Sequence, residues 1–151
     1  MPVTTNKSDV FRLPNGDGVS QNANKTAGRL RVCQGKVSNA TDDLAGSTFE
    51  LCRVPSHAII DPTSAFQVEN WGFVTVKIGT GSDTGAFIDV ATSAATTQNP
   101  VTQFDVNHGK ELWEVLGLEE DPCGKISLFA HADADATAAG SMLFDIRWFD
   151  E

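Results

Sequence analysis

Along residues 141–149, SMLFDIRWF, apolar and polar positions alternate: Met142, Phe144, Ile146 and Trp148 fall on one side of an extended chain, Asp145 and Arg147 on the other. That two-residue period is the mark of a strand with one buried face. It recurs in residues 125–131, KISLFAH, with Ile126, Leu128 and Ala130 inward, and in residues 72–78, GFVTVKI, with Val74, Val76 and Ile78 inward. Leu30 with Val32, and Phe49 with Leu51, mark two earlier strands. Turn chemistry separates these runs. Asp61-Pro62, Asn99-Pro100 and Asp121-Pro122-Cys123-Gly124 put proline where a turn uses its fixed φ, and Gly124 takes the position a type I turn favours for glycine.

One stretch has a different period. In residues 107–117, NHGKELWEVLG, Leu112, Val115 and Leu116 recur at helical spacing, with Asn107 placed to cap the start and Gly117 to end it. The pattern predicts one short helix near 108–117 among about eight short strands, which is an all-β fold: an antiparallel β-sandwich of jelly-roll type.

The first 26 residues break the pattern. They are rich in Thr, Asn, Ser and Gly, and after Val10 only Phe11 and Leu13 are sizeable hydrophobes. Such a segment buries too little apolar surface to offset its ordering entropy. The expected organisation is therefore a flexible N-terminal arm, 1–26, and a sandwich domain, 27–151. At 151 residues the chain has the length of a single domain.

Charge sharpens this division. The chain carries a net charge of −9, which repels phosphate backbones and anionic lipid, so neither nucleic acid nor membrane is an expected partner. Residues 1–36 hold six basic side chains (Lys7, Arg12, Lys25, Arg29, Arg31 and Lys36) against Asp9 and Asp17, while the rest carries −13. A basic segment on an acidic body suits docking along a neighbouring acidic surface. The apolar runs are far shorter than the roughly 20 residues a spanning helix needs. No basic-then-apolar start follows Met1, and the odd cysteine count (Cys33, Cys52 and Cys123) includes no C-x-x-C pair. Reduced thiols and synthesis in a cytoplasm are expected.

Candidate chemistry is sparse. The glycine loop 79–85, GTGSDTG, follows a strand but leads into another, Ala86 to Val90, and has no P-loop lysine, so it reads as a hairpin turn. The carboxylates at Glu119-Glu120-Asp121, Asp42-Asp43, and Asp133 and Asp135 beside His131 lack the spacing of a calcium loop. No serine elbow and no H-E-x-x-H occurs. No catalytic, cofactor or metal residue is expected. Trp71, Phe73, Trp113, Phe129, Trp148 and Phe149 could build a sugar-stacking platform or a core. Phe129 and Phe149 lie on the parity opposite their inward neighbours, and an apolar outer face is better explained by a subunit interface.

Three segments carry a resemblance. STFELCRVPSHAII at 47–60, KIGTGSDTGAFIDVA at 77–91 and ELWEVLGLEEDPCGKISLFAHADADATAAGSMLFDIRW at 111–148 occur in the order found in small structural proteins of tailed-bacteriophage heads. Over residues 45–149 the chain resembles capsid decoration, or cement, proteins. The resemblance implies a virion structural protein on the capsid exterior that clamps major capsid proteins, without catalysis or cofactor, as a homo-oligomer with a trimer favoured. On that reading the candidate capsid or subunit interface comprises Val10, Phe11, Arg12 and Leu13 of the arm with Arg29, Arg31, Phe129 and Phe149. A carbohydrate-binding or host-attachment module, a head–tail joining protein and a hydrolase without a recognisable motif are the competing expectations.

Overall fold

The computed structural model describes residues 3, 5–7, 29–92 and 96–150. Two sheets face each other. Sheet one runs β1 (Thr5–Lys7), β3 (Thr48–Pro55), β9 (Lys125–His131), β6 (Thr75–Gly79) and β7 (Ile88–Ala91). Sheet two runs β2 (Arg29–Asn39), β10 (Gly140–Asp150), β5 (Ala65–Gln67) and β8 (Thr97–Gln98), with β4 (Ile59–Ile60) also pairing with β10. Among the described strands only β1, parallel to β3, departs from antiparallel pairing. The expected all-β sandwich is present.

The alternation read from residues 141–149 organises the interior. Met142, Phe144, Ile146 and Trp148 of β10 are all buried, and the register with β2 places Ile146 beside Cys33 and Met142 beside Val37. From sheet one, Phe49, Cys52 and Val54 of β3, Leu128 and Ala130 of β9, and Val76 and Ile78 of β6 close the core. At one end Phe49, Trp71 and Phe73 form an aromatic cluster, with Phe49 edge-on to Trp71 at 5.2 Å between ring centres. Such geometry adds to the hydrophobic gain of burying the rings.

Several local expectations need correction. Strand β2, marked by Leu30 and Val32, is present, with these two on its outward side. Leu30 pairs with outward Phe149, and the side facing the core carries Cys33 and Val37. In the 72–78 run Val74 is 56% exposed, and Phe73 is buried in its place. The chain bends there before β6 begins at Thr75. Gly72 permits the bend, because a Cβ at that position would sit 2.1 Å from the carbonyl oxygen of Ala138. Asn39 then ties the two segments together, its Nδ2 donating to Ala138 O at 2.8 Å and its Oδ1 accepting from Gly72 N at 3.1 Å.

The helix is confined to α1 (Leu112–Val115), and its N-cap is Glu111 rather than Asn107. Glu111 N donates to Glu114 Oε2 at 3.0 Å, so the start is closed by a carboxylate three residues on. Asn107 instead donates its backbone N–H to Asp105 Oδ1 in a preceding turn. Gly117 does end the helix, at φ +69°. In the Asp121–Gly124 turn Cys123 takes the left-handed conformation, at φ +54°. Asp121 Oδ1 accepts from Cys123 N and from Ser56 Oγ, which stabilises that conformation. The loop after β6 is a hairpin turn as read, closed by Thr80 N to Asp83 O at 2.8 Å.

Candidate interaction site

Whatever this sandwich does at its surface, two outer faces and their loops supply the material. On the outer face of sheet one, charges are consumed locally. Glu50 is buried, and its Oε1 accepts from Arg53 Nε and from Ser127 Oγ, each at 3.0 Å. Lys77 Nζ lies 2.8 Å from Asp133 and 3.6 Å from Asp89. The hydrogen bond to Asp133, foremost, raises the Lys77 pKa. His131 Nε2–H donates to Thr80 O at 2.9 Å, and burial lowers the imidazole's pKa. Phe129 lies across from Glu50, half-buried, with its ring 5.8 Å from that of His131.

The outer face of sheet two differs. From one end to the other, β10 presents Leu143, Asp145, Arg147 and Phe149, and β2 presents Lys36, Gln34, Val32 and Leu30 beside them. Phe149 sits between Leu30 and Ile59, so three apolar side chains line up across three strands. Leu143 is 52% exposed and Phe149 38%. Between them Arg147 binds Asp145 through Nε at 3.0 Å and Nη2 at 2.6 Å, and Gln34 Nε2 adds a bond at 3.0 Å. The Arg147 bonds, first, hold the Asp145 carboxyl below its ordinary pKa. The Leu143 end is a groove of about 610 Å³ with Ala65, Gln67 and Lys36 in its walls.

Beside the Phe149 end stands a loop that the sequence reading overlooked. Between β8 and α1 the chain makes successive tight turns, with Asp105 N bonded to Thr102 O at 3.1 Å, His108 N to Asp105 O at 3.0 Å and Lys110 N to Asn107 O at 3.2 Å. Buried Val101 and Leu112 anchor its ends. This ordered loop holds Phe104 94% exposed and Val106 79% exposed. A second groove, of about 590 Å³, runs under it between Thr102, Gln103 and His108 on one side and Pro62 and Phe149 on the other. Two large apolar groups held in solvent by a hydrogen-bonded loop, next to a groove that Phe149 lines, make this end a candidate contact surface.

Comparison with known proteins gives one line of evidence, and it concerns the fold. The chain is similar to a chain described as the cyanophage Pam1 capsid asymmetric unit, with a TM-score of 0.54 and 12% sequence identity, over 83% of this chain and 87% of that one. No protein-family profile matches the sequence, and no curated protein does. The similarity establishes a shared sandwich over most of both chains.

Against this framework the predicted interface residues separate. Phe129 and Phe149 lie on opposite outer faces, so the structure does not join them into one patch. Arg31 Nε pairs with Asp150 Oδ2 at 2.8 Å, and His57 Nε2 meets the other oxygen of Asp150 at 2.8 Å, so Arg31 fastens β2 to the end of β10. Arg29 opens β2 opposite Asp150; its side chain, like Val10, Phe11, Arg12 and Leu13, lies outside the described residues. Trp71, Phe73 and Trp148 are buried, which removes them from any sugar-stacking platform. Among the described residues no group of three or more His, Cys, Asp or Glu side chains is placed to hold a metal ion. Cys33 and Cys52 are buried, and burial, then contact with Cys33, pushes the Cys52 thiol's pKa up. Phe104 and Val106 are the residues missed. The signal was present as two hydrophobes set singly among the turn formers of TQFDVNHG, where no strand or helix can bury them.

Proposed function

We propose that this chain is a virion structural protein: a decoration, or cement, protein that binds the outer surface of a tailed-phage head and stabilises contacts between major capsid proteins. The observation that carries the reading is the sandwich shared, at a TM-score of 0.54 and over 83% of the chain, with a chain of a cyanophage capsid. The strand orders β2-β10-β5-β8 and β3-β9-β6-β7 support a winding of jelly-roll type. The role requires no catalysis and no cofactor.

The mechanism is linkage. A protein that binds only the mature arrangement of capsid subunits stabilises that arrangement by mass action, and copies joined in a homo-oligomer add avidity. Thr5–Lys7 of the N-terminal segment pair with β3 as β1, and within residues 1–26 it is Val10, Phe11, Arg12 and Leu13 that serve as the capsid anchor, gaining reach at an entropic cost. The complex sits on the virion exterior.

Mixing the purified protein with expanded and unexpanded phage shells and sedimenting them tests the reading. Co-sedimentation with the expanded shell, at copy numbers matching its lattice, is expected; protein left in the supernatant with both shells would refute it. Phe11→Ala combined with Arg12→Ala should weaken shell binding with an unchanged circular dichroism spectrum.

A further inference from the structure

We propose that the outer face of sheet two is a self-complementary interface, on which two copies of this chain pack face to face about a two-fold axis. The outward side of β10 is asymmetric along its length. Phe149 and Leu143 stand six positions apart on the outward side of β10, roughly 20 Å at 3.3–3.4 Å per residue. At the Phe149 end the hydrogen-bonded loop carries a projection, Phe104 and Val106, which no described residue buries. At the Leu143 end lies a cavity of about 610 Å³ whose wall includes the half-exposed Leu143 side chain. Projection and cavity are at opposite ends of the same face. Antiparallel apposition of two such faces sets each copy's Phe104 end over the other copy's Leu143 end, so the contact is made twice.

The charges obey the same symmetry. Asp145 and Arg147 occupy the middle of the face, adjacent and already paired within one copy. A two-fold axis passing between them brings Asp145 of one copy over Arg147 of the other, and the reverse, so opposite charges meet at the centre. At the ends, Asp105 beside Phe104 meets Lys36 on the rim of the cavity. An isologous contact requires this relation, in which residue i meets j and j meets i. The face also has adequate size. Eleven-residue strands β2 and β10 span about 35 Å, and with β5 and β8 beside them they cover several hundred Å², on the scale of the roughly 800 Å² per partner in a standard interface. The chain's net charge of −9 opposes self-association in general, but this face carries Lys36 and Arg147 against Asp145.

The proposal stands apart from shell binding and predicts a dimer rather than the trimer the phage resemblance favours. Sedimentation velocity on the full chain across a wide concentration range should give a dimer mass. Phe104→Ser and Leu143→Glu alter exposed side chains, so each should fold as the parent does by circular dichroism while weakening dimerisation about tenfold or more. Mixing the two variants is decisive. The mixed pair retains one intact contact, Phe104 from the Leu143→Glu copy in the unaltered cavity of the Phe104→Ser copy, and should dimerise more tightly than either variant alone. A protein that stays monomeric at the highest concentration, a trimer, a dimer indifferent to both substitutions, or a mixture no tighter than its components would overturn the proposal. Failure of shell co-sedimentation with dimerisation intact would refute decoration alone.

Discussion

The two outer faces of this sandwich are built from the same kind of strand, yet one satisfies itself and the other does not. Across sheet one, Glu50 is bonded by Arg53 and Ser127, and Lys77 bridges Asp89 and Asp133. Across sheet two the cluster of Asp145 with Arg147 and Gln34 lies between the exposed Leu143 and Phe149. The difference teaches where to look for a partner. Polar groups that bond each other gain little by being covered again, whereas exposed Leu143, Phe149 and Phe104 release water when covered, at about 25 cal/mol per Å² of apolar area.

The largest effect is expected beneath both faces. Phe49 is fully buried and packs edge-on against Trp71; Phe49→Ala should cost about 3–5 kcal/mol in urea unfolding, a large share of the roughly 5–15 kcal/mol of an ordinary domain. Next comes the self-contained face. Glu50→Ala removes the acceptor shared by Arg53 and Ser127 in a buried setting, and a loss of about 1.5–3 kcal/mol is expected in the same measurement.

A pH titration of stability sharpens the contrast further. His131 has its pKa lowered by burial from an ordinary 6.5, so above that value its contribution is fully present. As the pH falls through 6.5 the unfolded chain takes up the proton first, and stability drops until the folded pKa is passed. His131→Gln should flatten that part of the profile between neutral and mildly acidic pH. The smallest effect belongs to the open face: Phe104→Ser should leave unfolding free energy within about 0.5 kcal/mol of the parent. A larger loss would show that the loop packs against its own domain and is not a contact surface.

How much of this was legible in the chain depends on the range of the cause. The alternation in residues 125–131 and 141–149 located β9 and β10 and named their inward residues, all buried but Ile126, which is partly buried, because a two-residue period acts through the local pleat alone. Turn residues likewise marked the hairpin after β6 and the end of α1 at Gly117. Parity in β2 was not legible: Leu30 and Val32 are as apolar as Cys33 and Val37, and only pairing with β10 decides which set faces inward. The bend at Gly72 was equally hidden, since it answers to Ala138, far along the chain. A bulge in β3 between Glu50 and Cys52 likewise moves the inward positions onto Cys52 and Val54.

The candidate site divides along the same line. Sequence parity by itself put Phe129 and Phe149 on outward sides of their strands. Only the tertiary structure decided that they belong to opposite faces, that Arg31 is engaged by Asp150, and that Phe104 stands in solvent on a loop whose Thr102, Gln103 and His108 share a groove with Phe149. The physical reason is reach. Periodicity and turn chemistry operate over a few residues, whereas a surface is assembled from segments that are distant in the chain and become neighbours only when the sheets pair.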